Sequence, residues 1–184
     1  MYRNAFVGVL LPNNIAKKYI SLLKKLKGSG NISDVELESL ENDIPHITLY
    51  FLGDQSEEGI NKINKTLSDL DLILKNIKIE IDGLGMFKKQ NDSVAYLKVR
   101  KTKELSGLYT SLEKNLKNIY FERRPFVPHL TLSRKFNVNN SELLQKLKSE
   151  SENIKWVFNT TTLNLFGRES KSEKMKILAK IQLI

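Results

Sequence analysis

Residues 45–53 read PHITLYFLG and residues 128–134 read PHLTLSR. His46 and His129 are the two histidines of the 184-residue chain, and each follows a proline and stands two places before a threonine. After each histidine, polar and apolar residues alternate, which is typical of a strand with one face in the core. We therefore predict two equivalent β-strands, each presenting an imidazole and a hydroxyl side by side.

Alternation along these two strands predicts which side chains share a face, because successive side chains of a strand point to opposite sides. The predicted open face carries His46, Thr48 and Tyr50 in the first copy and His129, Thr131 and Ser133 in the second. The predicted core face carries Ile47, Leu49 and Phe51 in the first copy and Leu130 and Leu132 in the second. Strict alternation turns Arg134, which follows the second run, away from His129.

The same order of elements occurs twice along the chain. The first half predicts strand 5–11, helix 12–27, the first histidine strand, helix 56–74 opened by Ser56 as its cap, and strand 76–87. The second half predicts strand 93–99, helix 102–117, the second histidine strand, helix 139–150, strands within 153–167 and a closing strand 174–184. Such a duplication predicts a single α+β domain over residues 1–184, with repeats of roughly 5–87 and 93–183 related by an approximate two-fold axis. That axis would carry His46 onto His129.

Composition excludes some kinds of site and favours some kinds of partner. The chain has no cysteine, which excludes disulfides, thiolate nucleophiles and cysteine-based metal sites. The apolar run 5–11 is too short to span a membrane, and no signal cleavage pattern follows it, so we expect a cytoplasmic protein. A net charge of +9 favours polyanionic partners such as nucleic acid, although many lysines fall at the spacing of a solvated helix face.

Two histidines that face each other across a groove suit a reaction in which one proton is taken and another is given. The ordinary pKa of imidazole lies near neutrality, so one ring can act as a base while the other acts as an acid. Phosphodiester hydrolysis is such a reaction, and Thr48 and Thr131 could donate hydrogen bonds to the non-bridging phosphate oxygens. A metal site fits less well, since no carboxylate motif accompanies either histidine. A serine nucleophile also fits poorly, because the chain has no GxSxG sequence.

At HITL (46–49) and HLTL (129–132) the chain resembles the two-histidine (2H) phosphoesterase superfamily, which is defined by a duplicated His-x-Thr-x motif. Within that superfamily it is most similar to the RNA 2′,3′-cyclic phosphodiesterases, also called LigT-type 2′-5′ RNA ligases. The resemblance extends over GLGMF (83–87), RPFVPHLTLSR (124–134) and the closing strand KMKILAKIQL (174–183). The chain departs from the family at Val127, where a basic residue is usual.

The resemblance implies a bilobal fold in which two antiparallel sheets line a central cleft with helices on the outside. It implies cofactor-free and metal-independent opening of a terminal RNA 2′,3′-cyclic phosphate to a 2′-phosphomonoester, with reversible 2′-5′ ligation in vitro. His46 would be the proton donor and His129 the proton acceptor. Thr48 and Thr131 would contact the phosphate. Arg134 matches the arginine of the family, and both a phosphate contact and a structural salt bridge are open to it.

Several points stay open at the level of sequence. Tyr50, Phe87 and Phe126 are the candidates for stacking on a terminal base. The partner is expected to be an RNA or oligonucleotide end carrying a cyclic phosphate, bound by a monomer away from membranes. One alternative is a phosphodiesterase for a small cyclic phosphate or a 2′-5′ oligoadenylate. Another is an RNA-binding module without catalysis.

Overall fold

The fold consists of eight strands and four helices within residues 1–28, 40, 43–70, 76–88, 93–120, 125–137, 139–170 and 173–183, which are the residues that a computed structural model describes. The strands are β1 Tyr2–Leu10, β2 His46–Gln55, β3 Ile77–Phe87, β4 Ser93–Val99, β5 His129–Phe136, β6 Lys155–Thr160, β7 Thr162–Arg168 and β8 Lys176–Gln182. The helices are α1 Asn13–Gly28, α2 Glu57–Ser68, α3 Lys103–Leu116 and α4 Ser141–Ser151. These elements confirm the predicted order. The end of the predicted helix 56–74 lies outside the described residues.

Side-chain caps fix where three of the helices begin. Ser56 Oγ accepts a hydrogen bond from Gly59 N at 3.0 Å, which confirms the cap predicted for α2. Thr102 and Asn140 cap α3 and α4 in the same way. Each cap satisfies a backbone N–H that has no partner inside its own helix. The three helices therefore start where the sequence places a short polar side chain.

Two four-stranded antiparallel sheets carry the histidines. The first sheet has the order β2-β1-β7-β8 and the second has the order β5-β4-β3-β6. The histidine strand lies at the edge of its sheet in both cases, paired with the strand that opens its half of the chain. The predicted α+β class with two antiparallel sheets is confirmed. The halves interlock, because β3 joins the second sheet while β7 and β8 return to the first.

One cluster of buried residues joins the two sheets and the helices. Val7 and Ile47 of the first sheet, Ile79 and Leu97 of the second, and Leu23 of α1 all belong to it. Each buried aliphatic side chain of this size contributes about 1.5–3 kcal/mol to stability. The shared core holds the two histidine strands at a fixed separation. No helix among the described residues is long and apolar enough to cross a membrane.

Candidate active site

A cleft of about 940 Å³ lies between the two sheets. Thr48 and Phe51 of β2 line one side, and Phe87 of β3 and His129 of β5 line the other. The histidine strands also approach each other directly. One residue of each motif, Thr48 of the first and His129 of the second, therefore lines this cavity, whereas His46 and Thr131 are not among the residues that line it.

The same short turn orients both imidazole rings. His46 Nδ1 lies 2.6 Å from the carbonyl oxygen of Ile44, and His129 Nδ1 lies 2.7 Å from that of Val127. A carbonyl oxygen only accepts hydrogen bonds, so each Nδ1 carries a proton and donates it. In the neutral ring, Nε2 is therefore the nitrogen that can take a proton. The two rings consequently have the same tautomer, which leaves Nε2 for proton transfer.

The prolines before the histidines belong to this turn. The carbonyl oxygen of Pro45 accepts a hydrogen bond from Leu11 N at 3.1 Å, and that of Pro128 accepts one from Val99 N at 3.2 Å. A proline disfavours the helical conformation for the residue before it, so the chain enters the strand extended. The carbonyl two residues before each histidine is thereby placed against the ring. The repeated proline is explained by this turn, which sequence reasoning did not identify.

Aromatic rings surround His46. Its ring centroid lies 4.5 Å from that of Phe6 and 5.5 Å from that of Phe166. Burial lowers the pKa of His46, while the hydrogen bond to Ile44 and the negative charge of Asp43 raise it. The positive charges of Arg134 and His129 also lower this pKa, so both groups lie within electrostatic reach of His46. The free protein therefore favours the neutral form of His46.

His129 has a matching aromatic environment. Phe87 meets its ring edge-on at a centroid distance of 5.0 Å, and Tyr96 lies at 5.1 Å. Phe87 and Tyr96 also pack on each other at 4.4 Å. These contacts fix the ring plane of His129 from the side opposite to its backbone hydrogen bond. Each catalytic candidate is thus held by one carbonyl and two aromatic rings.

A β-bulge occurs at the same place in both histidine strands and breaks the predicted alternation. On β2, Thr48 pairs with Gly8, but Tyr50 pairs with the next residue, Val7. Tyr50 faces the core with its buried partner Val7, and its hydroxyl donates to the carbonyl oxygen of Tyr120 at 2.7 Å. The prediction that Tyr50 shares the open face and stacks on a base is therefore wrong. Phe51, predicted in the core, lines the cleft.

The bulge on β5 changes the face of two further residues. Thr131 pairs with Tyr96, but Ser133 pairs with the core residue Ala95. Paired residues share a face, so Ser133 is buried on the core side, contrary to the prediction. Arg134 then returns to the face of His129, and the prediction that it points away is wrong as well. It forms an ion pair with Asp43, with Nη2 3.3 Å from Oδ2.

The two other stacking candidates, Phe87 and Phe126, do line the cleft. Phe126 stacks on Tyr109 at a centroid distance of 4.2 Å, and the Lys101 ammonium lies 5.3 Å from the Phe126 ring. Val127, at the position where the family usually has a basic residue, is 40% exposed and also lines the cleft. This side of the cleft is consequently apolar and flat, as suits a nucleobase.

The tyrosines of α1 and α3 make different contacts, although the two halves of the chain have the same order of elements. Tyr19 of α1 donates its hydroxyl to the carbonyl oxygen of Thr131 at 2.6 Å, which covers the free edge of β5. Tyr109 occupies the matching position of α3, yet its hydroxyl donates to a carboxylate oxygen of Glu113 at 3.2 Å, and its ring lines the cleft. The cleft therefore extends toward α3, alongside β2 and Thr48.

Asp43 is a charged residue near His46 that sequence reasoning missed. Its carboxylate reaches Arg134 of β5 and also Arg168 of β7, with Oδ1 3.6 Å from Nη2 of Arg168. It follows a polar stretch without periodicity, and its partners come from distant strands. The three-residue spacing from His46 was the available clue. Sequence spacing alone does not reveal a charge cluster that forms through packing.

The residues that the structure describes include no group of three or more His, Cys, Asp or Glu side chains able to hold a metal ion. Whether the reaction proceeds without a metal stays a prediction, for which an assay in excess chelator is the test.

The lowered pKa of His46 predicts a loss of stability on acidification. The unfolded chain binds the His46 proton near pH 6.5, and the folded protein binds it only at lower pH. The stabilisation is complete above the unfolded pKa and is lost as the pH falls through the folded pKa. Between about pH 7.5 and 5 the free energy of unfolding should fall more steeply in the wild type than in His46→Gln. Urea titrations of both proteins measure this, and parallel curves would contradict it.

Comparison with known proteins agrees with this architecture. The 2′-5′ RNA ligase superfamily matches residues 24–171. An RNA 2′,3′-cyclic phosphodiesterase of Archaeoglobus fulgidus is 33% identical over 150 residues, which cover 79% of this chain and 81% of that protein. One from Bacillus subtilis is 27% identical over 135 residues, covering 71% and 70% of the two chains.

Solved structures show the same fold. The crystal structure of E. coli LigT complexed with 3′-AMP superimposes with a TM-score of 0.76 at 19% identity, over 100% of this chain and 99% of that one. TT0787 of Thermus thermophilus gives a TM-score of 0.71 at 18% identity, over 100% and 98%. With the family match over residues 24–171 and a relative 33% identical over 79% of the chain, the chain belongs to the 2′-5′ RNA ligase superfamily.

Proposed function

We propose that the protein hydrolyses the terminal 2′,3′-cyclic phosphodiester of RNA to a 2′-phosphomonoester. The observation that carries the proposal is the matched pair of histidines on β2 and β5, which approach each other, each with Nδ1 tied to a carbonyl so that Nε2 is the basic nitrogen of the neutral ring. The relatives from Archaeoglobus and Bacillus, named as RNA 2′,3′-cyclic phosphodiesterases, support the reaction class. The net charge of +9 supports an anionic substrate.

The proposed mechanism is in-line displacement at phosphorus. Nε2 of His129 takes a proton from the attacking water as the new P–O bond forms. Nε2–H of His46 gives a proton to ribose O3′ as the P–O3′ bond breaks, which leaves the phosphate on O2′. Afterwards His129 releases its proton to solvent and His46 takes one up. Each transfer is worth about 10²–10⁴ in rate.

The phosphate itself would be held by hydroxyl groups and a guanidinium. We assign Thr48, Thr131 and Arg134 to this clamp, because Thr48 lines the cleft, Thr131 is its counterpart in the second motif and the charge of Arg134 acts on His46. A bound phosphate anion would also raise the pKa of His46 and so supply the protonated donor. Phe87 and Phe126 would accept the terminal base. A 5′-hydroxyl in place of the attacking water would give a 2′-5′ linkage, so weak ligation in vitro belongs to the same proposal.

The site needs residues of one chain only, so we further propose that the monomer is active. The test is hydrolysis of a short oligoribonucleotide ending in a 2′,3′-cyclic phosphate, in excess EDTA, with the product identified by mass spectrometry. The His46→Ala/His129→Ala double variant is the blank that reports contaminating nucleases. A 2′-phosphate product formed by the wild type alone supports the proposal. Equal turnover by wild type and blank, or a 3′-phosphate product, refutes it.

The salt dependence of KM distinguishes an RNA substrate from a small cyclic phosphate. An RNA held through several phosphates releases counterions on binding, so its KM should rise steeply with added KCl. A mononucleoside 2′,3′-cyclic phosphate makes few such contacts, and its KM should change little. If the longer RNA shows neither a lower KM nor a steeper salt slope than the mononucleotide, the small-molecule assignment is the better one.

A further inference from the structure

Asp43 forms ion pairs with one arginine of each sheet. Its side chain is 14% exposed and lies between two guanidinium groups, that of Arg134 from the second sheet and that of Arg168 from the first. Withdrawing a carboxylate from water costs free energy, which contacts with charged partners offset. In the described residues Nε of Arg168 is buried without a hydrogen-bond partner, which makes Asp43 important for that guanidinium too.

Arg134 is held by this contact without being buried. Its side chain is 45% exposed, although one Nη lies 3.3 Å from the Asp43 carboxylate. The charges of Arg134 and Asp43 both act on His46, so the pair lies beside the first histidine although Arg134 belongs to the strand of the second. The ion pair with Asp43 restricts the rotamers of this long side chain at an exposed position.

We propose that Asp43 is a positioning residue, which holds the Arg134 guanidinium beside His46 where it meets the phosphate of a bound substrate. The inference rests on the proposed function, because it assumes an anionic ligand in the cleft. Asp43 acts through Arg134 and does not touch the substrate itself. Rotamer freedom that Arg134 would lose on binding is already lost in the free protein, and this preorganisation increases affinity.

Asp43 could also weaken phosphate binding, so the direction in which Asp43→Asn changes the phosphate affinity decides between the two roles. A carboxylate near the cleft also repels phosphate. If Asp43 only competed for Arg134, then Asp43→Asn would bind phosphate more tightly. If Asp43 positions Arg134, the same variant binds phosphate more weakly, and only while Arg134 is present.

The experiment is a double-mutant cycle on Asp43→Asn and Arg134→Gln, with inorganic phosphate as the probe. Phosphate binding is followed through the imidazole NMR signals, which His129→Gln assigns because the chain has only two histidines. The matched control is Glu80→Gln, since Glu80 also bridges two cations, Lys78 at 2.8 Å and Arg100 at 3.1 Å. Circular dichroism checks the fold of each variant. Asp43→Ser replaces Asp43→Asn if the latter does not fold.

We expect Asp43→Asn to raise the phosphate Kd about tenfold and Glu80→Gln to change it less than about twofold. In the Arg134→Gln background Asp43→Asn should add nothing further. The KM for a cyclic-phosphate oligonucleotide should rise in parallel, with a smaller change in kcat. An unchanged or lower Kd in Asp43→Asn, or the same loss with and without Arg134, overturns the inference. Binding is read without turnover, so a failure of the proposed function would be seen separately, as phosphate binding without hydrolysis.

Discussion

His46→Ala and His129→Ala should each lower kcat for cyclic-phosphate hydrolysis by about 10²–10⁴, the largest effects expected for any substitution in the chain. Each change removes the Nε2 that we assign to one of the two proton transfers, while the backbone carbonyls of Ile44 and Val127 lose only a hydrogen-bond donor. Because the two groups act in one transition state, their effects should not add. The double variant should be at most about tenfold slower than the slower single variant.

A substrate with a good leaving group tests which histidine is the proton donor and which is the proton acceptor. An aryl phosphodiester with a good leaving group needs no proton donor, so the penalty of His46→Ala should shrink at least about tenfold on such a substrate. The penalty of His129→Ala should persist, because the attacking water still needs a base. A penalty that shrinks for His129→Ala instead would reverse the assignment. Near wild-type kcat in both single variants would remove the acid–base mechanism altogether.

Much of the fold can be read from the sequence because local patterns and the duplication agree. The helix caps, the strand alternation and the repeated order of elements each point to the same arrangement. The exchange of β3 and β7 between sheets could not be read in this way. It depends on which strand edges meet in space, which the alternation within a single strand does not specify.

The faces of the histidine strands were predicted correctly up to the threonine and incorrectly beyond it. A bulge adds one residue to β2 and to β5, so Tyr50 and Ser133 turn inward while Phe51 and Arg134 turn to the cleft. No glycine or proline within β2 or β5 marks the bulge, although Gly8 of β1 pairs with Thr48 at the first one. Comparing the two copies gives a clue, since Arg134 occupies the same offset as Phe51 and an arginine does not suit the core face on which alternation places it.

The aromatic rings that pack on the two histidines come from distant parts of the chain, so no local sequence pattern predicts these contacts. Phe6 and Phe166 reach His46 from two other strands, and Phe87 and Tyr96 reach His129 from two more. Each ring is one apolar residue among many in a strand. Sequence reasoning can propose the reacting groups because the chemistry restricts their type, whereas many residue types can provide an apolar wall around them.

Thr48→Val and Thr131→Val should lower kcat by the next largest factor after the histidine variants. Valine has nearly the shape of threonine but no hydroxyl, so each variant loses one proposed hydrogen bond to the non-bridging phosphate oxygens. Removing one such donor costs about 10²–10³ in kcat where the negative charge grows in the transition state. Thr48→Ser and Thr131→Ser are the matched controls, since serine keeps the donor, and they should recover most of the activity.

The hydroxyls could instead serve the strands themselves, and the same variants decide between the two readings. Thr131 is tied to α1 through its backbone carbonyl, which Tyr19 holds at 2.6 Å, so loss of its side-chain hydroxyl leaves that contact in place. We therefore expect both valine variants to keep the melting temperature of the wild type within a few degrees while kcat falls. If kcat and melting temperature fell together, or if serine rescued neither protein, the threonines would be structural, and the phosphate clamp would reduce to Arg134 and the two histidines.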